Sequence, residues 1–214
     1  MTTPKAWHRE TLGEKVVEAL KKNHFAAEYL PDKEAARQRI LELIPEEASV
    51  GIGGTVSVRD ELKIMEDLRE RGHKLFVHNL PNLSMEENNA IRRQQLTCDC
   101  FLTSTNAVTL NGELVNVDGV GNRVAAMIFG PKKVIVVAGI NKVADNVDSA
   151  LKRIELWAAP MNNKRIGLPN PCVTSGVCMD CQGITRICNV TTVMRKKPSQ
   201  TDVTVLVVGE ELGY

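Results

Sequence analysis

Four of the six cysteines lie close together in the last quarter of the sequence. The segment from Cys172 to Cys188 has the spacing C-x5-C-x2-C-x6-C, in which Cys178 and Cys181 are the middle pair. A C-x2-C step lets two thiolates reach one metal centre, and the flanking cysteines can complete a four-thiolate site. In a reducing compartment, clustered thiols indicate metal or redox chemistry before they indicate disulfides. We therefore predict that these four cysteines hold a metal centre.

The spacing leaves the type of centre open. It matches neither the paired C-x2-C knuckles of a zinc ribbon nor the C-x2-C-x2-C-x3-C run of a ferredoxin. Residues 161–198 contain six basic residues and one aspartate, and this surplus of positive charge would offset a thiolate-ligated centre and lower thiol pKa values. The alternatives are an iron–sulfur cluster, a zinc ion, and unmetallated thiols or a disulfide pair. We expect Cys98 and Cys100 to be buried as small hydrophobic residues on the same face of a strand.

A second candidate is the glycine-rich segment 51–57, which follows a short apolar run and precedes an amphipathic helix. Glycines let the backbone turn tightly and approach a ligand, and the N-terminus of a following helix favours a carboxylate or phosphate. The spacing is neither that of a P-loop nor that of a dinucleotide-binding loop, so it does not indicate a nucleotide. The alternative is a purely structural turn. The predicted anion-binding residues of this loop are Gly53, Gly54, Thr55 and Ser57.

Three further polar segments, 104–107, 116–123 and 139–142, lie at the ends of predicted buried strands or at the start of a helix. Because ligands bind at the carboxyl ends of parallel strands, we predict that side chains of these segments line one polar pocket. For each residue alone, the alternative is a turn or helix cap. No Ser-His-Asp order, H-E-x-x-H motif or paired-carboxylate signature names a general base. The predicted pocket residues are Arg123 and Lys142 as counter-charges, Asn106 and Asp118 for orientation, and Asn122 and Asn141.

The elements that must position these residues alternate between helix and strand. Apolar periodicity predicts helices over 11–29 and 32–44, the second with Asp32 as its N-cap. From residue 48 onward, strands alternate with helices of 10 to 15 residues, and Asn111-Gly112 predicts a hairpin turn. We predict a three-layer α/β domain over residues 1–214, with a mainly parallel sheet and an antiparallel extension. Residues 1–46 would be a helical cover and residues 161–190 a cysteine-rich segment.

The composition argues against several classes of partner. Lys and Arg number 27 against 26 Asp and Glu, so no strong overall field would attract a nucleic acid or a membrane surface. Aromatic residues make up 4% of the chain, which leaves few platforms for base stacking. The apolar runs are far shorter than the roughly 18 residues that a bilayer span needs, and the first ten residues contain no apolar signal region. We therefore expect a soluble, cytoplasmic protein without nucleic-acid or membrane partners.

Taken together, these motifs resemble the lactate-utilisation (LUD) domain family, in particular its single-domain branch with a C-terminal cysteine motif. The resemblance implies a fold similar to the sugar-phosphate isomerase and CoA-transferase-like α/β folds, with a site on the glycine-rich loop. It also implies that the protein acts together with iron–sulfur partner proteins in the oxidation of L-lactate to pyruvate. The glutamate-containing signature of a CoA-transferase is absent. The match extends from about residue 10 to Tyr214, and the segments that carry it are 51–57, 104–109, 112–124, 130–142 and the cysteine run.

Three functions are compatible with these residues. The leading hypothesis is a protein that binds a small anionic metabolite, a hydroxy- or oxo-acid such as lactate or pyruvate, within a redox or metabolic assembly. The first alternative is an autonomous isomerase- or transferase-like enzyme for a sugar-phosphate or acyl substrate. The second is a non-enzymatic metal-binding or electron-transfer scaffold. The cofactor expected from the cysteines is an iron–sulfur cluster, with zinc as the alternative, and a homo-oligomer is a further expectation for partners.

Overall fold

Two β-sheets organise the chain in the computed structural model, which describes residues 3–214. The strands are β1 (Ala26–Leu30), β2 (Val50–Ile52), β3 (Leu75–Val77), β4 (Cys100–Ser104), β5 (Ala107–Thr109), β6 (Leu114–Asp118), β7 (Lys133–Gly139), β8 (Val143–Ala144), β9 (Val190–Met194) and β10 (Asp202–Val208). The α-helices are α1 (Pro4–Lys22), α2 (Lys33–Leu43), α3 (Ile64–Glu70), α4 (Met85–Gln95), α5 (Asn122–Ile128), α6 (Val147–Arg153), α7 (Ala159–Ile166) and α8 (Cys172–Ser175). Short π-helical segments cover Ser57–Glu61 and Ile154–Ala158, and a 3₁₀ turn covers Ile140–Lys142.

The main sheet has six strands in the order β1-β10-β7-β4-β2-β3, and every neighbouring pair is parallel. Its central strands are nearly continuous Val and Ile runs, as expected when both faces of a sheet are covered. Residues of β7 alternate between two cores: Val134 and Val136 lie in one, and Ile135 and Val137 lie in the other. Helices α1 and α5 contribute to the first core, and α2 and α3 contribute to the second. The prediction of a three-layer α/β fold with a mainly parallel sheet is confirmed.

The predicted antiparallel extension is a separate, smaller sheet with the strand order β8-β5-β6-β9. In this sheet β6 pairs antiparallel with both β5 and β9, whereas β5 and β8 are parallel. The turn between β5 and β6 contains Asn111 and Gly112, where the hairpin was expected. A third core beneath this sheet joins Ala107 and Val115 to Ala150 and Ile154 of the helical segment that follows β8.

The prediction that residues 1–46 form an all-helical cover is wrong at β1. Helix α1 ends at Lys22, and Ala26–Leu30 then pairs in parallel with β10 at one edge of the main sheet. The capped helix after it is confirmed, because Asp32 accepts a hydrogen bond from the backbone N–H of Ala35. None of the helices in residues 3–214 is both long enough and apolar enough to cross a membrane.

Cys98 and Cys100 are both buried, but they do not share a face as predicted. Cys98 precedes β4 and packs in the core beneath α1, whereas Cys100 begins β4 and packs in the opposite core. Burial raises the pKa of the Cys98 thiol to about 11 and that of the Cys100 thiol to about 12. Both thiols are therefore protonated at neutral pH and contribute apolar packing.

The tip of the β5–β6 hairpin yields a prediction about stability. Gly112 has φ of 76°, and a Cβ at this position would lie 2.5 Å from the carbonyl carbon of Ala19. Gly72 has nearly the same backbone conformation, with φ of 80°, but a Cβ there would meet nothing within 4 Å. We predict that Gly112→Ala lowers the free energy of unfolding by about 3 kcal/mol or more, and Gly72→Ala by about 1 kcal/mol. Urea unfolding of both variants measures the difference, and equal losses would contradict this packing of the hairpin against α1.

Candidate functional site

A cavity of about 340 Å³ opens where several strands end. Residues that line it follow the carboxyl ends of β2, β3, β4 and β7 in the main sheet and of β6 in the smaller sheet. Parallel strands place their following loops at one edge, so residues far apart in sequence meet there. The cavity is the larger of two that adjoin each other.

Eight of the ten residues predicted to bind a ligand line this cavity: Gly54, Thr55, Ser57, Asn106, Asp118, Asn122, Arg123 and Lys142. The other two do not. The backbone N–H of Gly53 donates to the carbonyl oxygen of Leu102, which extends the pairing of β2 with β4. The Asn141 side chain accepts from Leu212 N–H at 3.0 Å and donates to the Gly213 carbonyl oxygen at 3.1 Å, so it anchors the segment after β10. Ligand contact by the eight lining residues stays a prediction.

Arg123 cross-links the loops that follow β4 and β6. Its Nε and Nη2 donate to Asp118 Oδ1, and Nη2 also donates to Asn106 Oδ1 at 2.8 Å. Its Nη1 donates to Asn116 Oδ1 at 2.6 Å and to the Ser104 carbonyl oxygen at 3.0 Å. All five guanidinium N–H groups are therefore occupied within the protein. Arg123 contributes positive charge to the cavity, but a direct hydrogen bond to a ligand would require it to release one of these partners.

Lys142 brings together the ends of three adjacent strands, β2, β4 and β7. Its Nζ lies 3.0 Å from the Ser57 hydroxyl, which follows β2, and 2.7 Å from the Ser104 hydroxyl, which ends β4. The side chain is only 4% exposed, and in residues 3–214 no carboxylate forms an ion pair with it. Burial and the positive charges of Arg153 and Arg123 lower its pKa to about 7, against the smaller opposing effect of Glu61. A substantial fraction of Lys142 is therefore uncharged at neutral pH.

Two arginines that the sequence did not indicate also line the cavity. Arg92 of α4 donates to the side-chain oxygens of Asn79 and Asn89, and its buried Nε has no hydrogen-bond partner. Arg165 of α7 donates to the Asn162 side chain. Within residues 3–214, neither of the two arginines forms an ion pair with a carboxylate. No local pattern identifies them, because each lies on a polar helix surface and only the tertiary fold turns it toward the cavity.

His78, directly after β3, is a further lining residue that the sequence did not indicate. It is buried, and Gln95 Nε2 lies 3.0 Å from its Nδ1. Desolvation, together with the charges of Arg92 and Arg59, lowers the pKa of His78 to about 4, so the ring is neutral at pH 7. Among the described residues, the side chains that line the cavity and are charged at neutral pH are three arginines (Arg92, Arg123 and Arg165) and one aspartate, Asp118, while Lys142 is partly charged. This balance favours an anionic ligand.

The four clustered cysteines line the second, smaller cavity, of about 20 Å³. The backbone N–H of Asp180, which has φ of 43°, lies 3.4 Å from Cys178 Sγ, so the C-x2-C step forms a tight turn around one sulfur. Burial and the neighbouring thiols raise the pKa of Cys188 to about 11, and they also raise the pKa of Cys172. Arg186 lowers the pKa of Cys188, as expected of a nearby basic residue, but burial outweighs this effect, and no basic residue lowers the pKa of Cys172.

The cysteine cluster is loosely assembled. In residues 3–214, no three Cys, His, Asp or Glu side chains are close enough together to hold a metal ion as they stand. Arg186 organises the segment by donating to the carbonyl oxygens of Cys181 and Cys188 and to the carboxylate of Asp180. Metal ligation by the four cysteines stays a prediction. The two cavities share Ala159, Ile187 and Cys188 in their walls, so the cysteine cluster borders the polar cavity.

One family model and one solved structure match this chain. The sequence model of the LUD domain matches residues 13–208. A crystal structure of a DUF162 family protein from Deinococcus radiodurans superposes with a TM-score of 0.53 at 13% sequence identity, covering 94% of this chain and 98% of that one. At this level of identity the structural similarity concerns the fold alone. No curated protein matches the sequence.

The buried position of Arg123 predicts a stabilising role. The Arg123 and Asp118 side chains are only 15% and 9% exposed, so loss of the guanidinium would leave a buried carboxylate unpaired. We predict that Arg123→Met lowers the free energy of unfolding by about 3 kcal/mol. The control is Arg9→Met, which removes an ion pair with the exposed Glu211 and should cost less than about 1 kcal/mol. Chemical denaturation compares them, and similar small losses would mean that Arg123 does not hold the loops together.

Proposed function

The chain belongs to the LUD domain family, and we propose that it binds a small carboxylate, a 2-hydroxy or 2-oxo acid such as lactate or pyruvate, in the larger cavity. The observation that carries this proposal is the surplus of positive charge in a concave, polar cavity at the carboxyl ends of parallel strands. The family's link to lactate utilisation supports the same ligand class.

Arg92 and Arg165 are the residues that we assign to the carboxylate. Guanidinium groups bind carboxylates through paired N–H donors, and these two arginines, unlike Arg123, have no carboxylate partner among the described residues. The unpartnered Nε of Arg92 is a buried donor that lacks an acceptor, and such groups are costly unless a ligand or water pairs with them. The hydroxyls of Thr55 and Ser57 would then face the hydroxyl or oxo group of the ligand.

We also propose that the four clustered cysteines hold a metal centre, with an iron–sulfur cluster favoured over zinc. Three features of the segment fit such a centre: four thiols around one cavity, a backbone N–H directed at Cys178 Sγ, and the guanidinium of Arg186 beside the thiols. Hydrogen bonds to sulfur and nearby positive charge both stabilise ligated thiolates. The ligands would be Cys172, Cys178, Cys181 and Cys188, and a bound iron–sulfur cluster would supply one-electron transfer beside the polar cavity.

Work within a redox assembly is the wider part of the proposal. Met179 and Ile184 lie within the cysteine segment and are 57% and 103% exposed. A contiguous exposed apolar patch marks a surface that meets another protein, and these two side chains are our candidates for such a patch. We propose an iron–sulfur protein as the partner on this side of the molecule, in line with the family resemblance.

Carboxylate binding is tested by isothermal titration calorimetry with L-lactate and with pyruvate. We predict that Arg92→Gln and Arg165→Gln each weaken binding about 10-fold or more, because each removes a charge-assisted hydrogen bond worth about 1.5–3 kcal/mol. The matched controls are Arg93→Gln and Lys164→Gln, which alter exposed neighbours on the same helices. If a control variant weakens binding as much as the variant that it is matched to, the effect comes from the overall charge of the protein and not from a direct contact. If the unaltered protein binds neither acid, the proposed ligand class is refuted.

The metal proposal is tested on protein purified without oxygen. We predict iron in the purified protein together with broad absorbance near 400 nm, both lost in Cys178→Ser and Cys181→Ser because a missing ligand opens the site. Cys98→Ala is the matched control, since Cys98 is buried in the main core away from the cluster. Zinc without iron would select the alternative metal. Anaerobic protein with neither metal would refute a metal centre.

A further inference from the structure

We propose that Ser57 and Lys142 form a serine–lysine pair that transfers the acyl group of a small ester or thioester to water. Ser57 is the nucleophile, Lys142 is its general base, and Ser104 orients the lysine. This activity goes beyond ligand binding, and it requires only that an acyl compound enter the larger cavity, which both Ser57 and Lys142 line.

The hydrogen bonds place Lys142 Nζ between the two serine hydroxyls. The Ser104 hydroxyl donates to the carbonyl oxygen of Thr105 at 3.2 Å, so its oxygen accepts a hydrogen bond from Lys142 Nζ. Lys142 Nζ also donates to the Ser57 hydroxyl oxygen, at 3.0 Å. An uncharged amine that donates to Ser104 keeps its lone pair free to accept the proton of Ser57. A nucleophile, a base within hydrogen-bond reach and a third group that orients the base are the parts that nucleophilic catalysis requires.

The surroundings of Lys142 favour its uncharged form. The charged groups that influence Lys142 are Arg123 of α5, Arg153 of α6 and Glu61 of the π-helical segment after β2. The two arginines disfavour protonation of Lys142. Glu61 favours it, but its effect is the smallest of those on Lys142, and its carboxylate oxygens accept hydrogen bonds from the backbone N–H of Gly213 at 3.1 Å. Desolvation is the largest effect and also favours the neutral amine.

The backbone at Gly213 closes one side of the pair. This residue has φ of 59°, and a Cβ there would lie 2.6 Å from Ser57 Oγ and 3.4 Å from Lys142 Nζ. Gly213 therefore allows the chain to pass directly over the two groups and to shield them from solvent. Exclusion of water favours the uncharged amine, and Ser57, Lys142 and Gly213 all line the cavity from which a substrate would approach.

The proposed reaction balances without an oxidant or reductant. Ser57 Oγ forms a bond to the acyl carbon as its proton passes to Lys142 Nζ, and the bond to the leaving alcohol or thiol breaks as that group takes the proton. Water then attacks the acyl–serine ester and gives a proton to Lys142. The bond from the acyl carbon to Ser57 Oγ breaks, Ser57 recovers the proton, and a free carboxylic acid leaves. The cationic lining of the cavity suits this acidic product.

The test uses p-nitrophenyl acetate, a small activated ester, with the unaltered protein and with variants. We predict a burst of p-nitrophenolate and one acetyl group on Ser57, located by mass spectrometry of acid-quenched protein. Ser57→Ala should abolish this acetylation, and Lys142→Met should slow it about 100-fold or more, which is the usual contribution of a general base. The rate should rise with pH as Lys142 loses its proton. Ser199→Ala and Lys164→Met, both at exposed positions, are the controls and should react like the unaltered protein.

Several outcomes would overturn the proposal. Acetylation confined to surface lysines, or an unchanged rate at Ser57 in a folded Lys142→Met variant, would show that the pair is not reactive. If Lys142→Met fails to fold, the Ser104→Ala variant keeps the base and should still react more slowly, and an unchanged rate there would count equally against the proposal. Calorimetry with lactate and pyruvate on the unaltered protein tests the carboxylate site separately, so either proposal can fail without the other.

Discussion

Lys142 is an amine buried without a carboxylate partner among residues 3–214, and this is the constraint on which the site depends. A charged lysine removed from water is costly unless an anion accompanies it, and Lys142 has two serine hydroxyls instead. The protein resolves this by favouring the neutral amine, with Arg123 and Arg153 as further positive charges nearby. The cavity stays cationic even when Lys142 is neutral, because three arginines line it against the carboxylate of Asp118 among the described residues. A site that disfavours protonation of its lysine is therefore also one that attracts anions.

The parallel sheet makes this arrangement feasible. Because β7, β4 and β2 are neighbours, Lys142, Ser104 and Ser57 all emerge at one edge, although 85 positions separate the first from the last. The smaller sheet then contributes the loop after β6, which Arg123 fastens to the end of β4. The cysteine segment lies against the same cavity through Cys188, so the proposed carboxylate site, the proposed serine–lysine pair and the thiols share one region of the fold.

Local patterns predicted most of the fold and part of the site. The Val-rich run of β7, the Asp32 cap and the Asn111-Gly112 turn each depend on nearby residues, so the sequence alone identified them. Strand β1 could not be separated from α1, because its five residues continue a helix-like distribution of apolar positions and are fixed as a strand by pairing with β10. Lys142 and Ser57 were predicted as pocket residues from strand ends, but their hydrogen bond depends on strand order. Arg92 and Arg165 carry no local signal, because only the packing of α4 and α7 places them at the cavity.

The protonation of Lys142 can be measured residue by residue. Nuclear magnetic resonance of protein carrying carbon-13 at the ε position of lysine follows each amine through a pH titration, and the Lys142→Arg variant assigns the signal. We predict a titration midpoint, and so a pKa, near 7 for Lys142, well below the pKa of about 10.4 that is typical of exposed lysines. If Lys142 instead titrates together with the exposed lysines, it is charged at neutral pH. It could then not accept a proton from Ser57, and the proposed effect of burial on its pKa would be wrong.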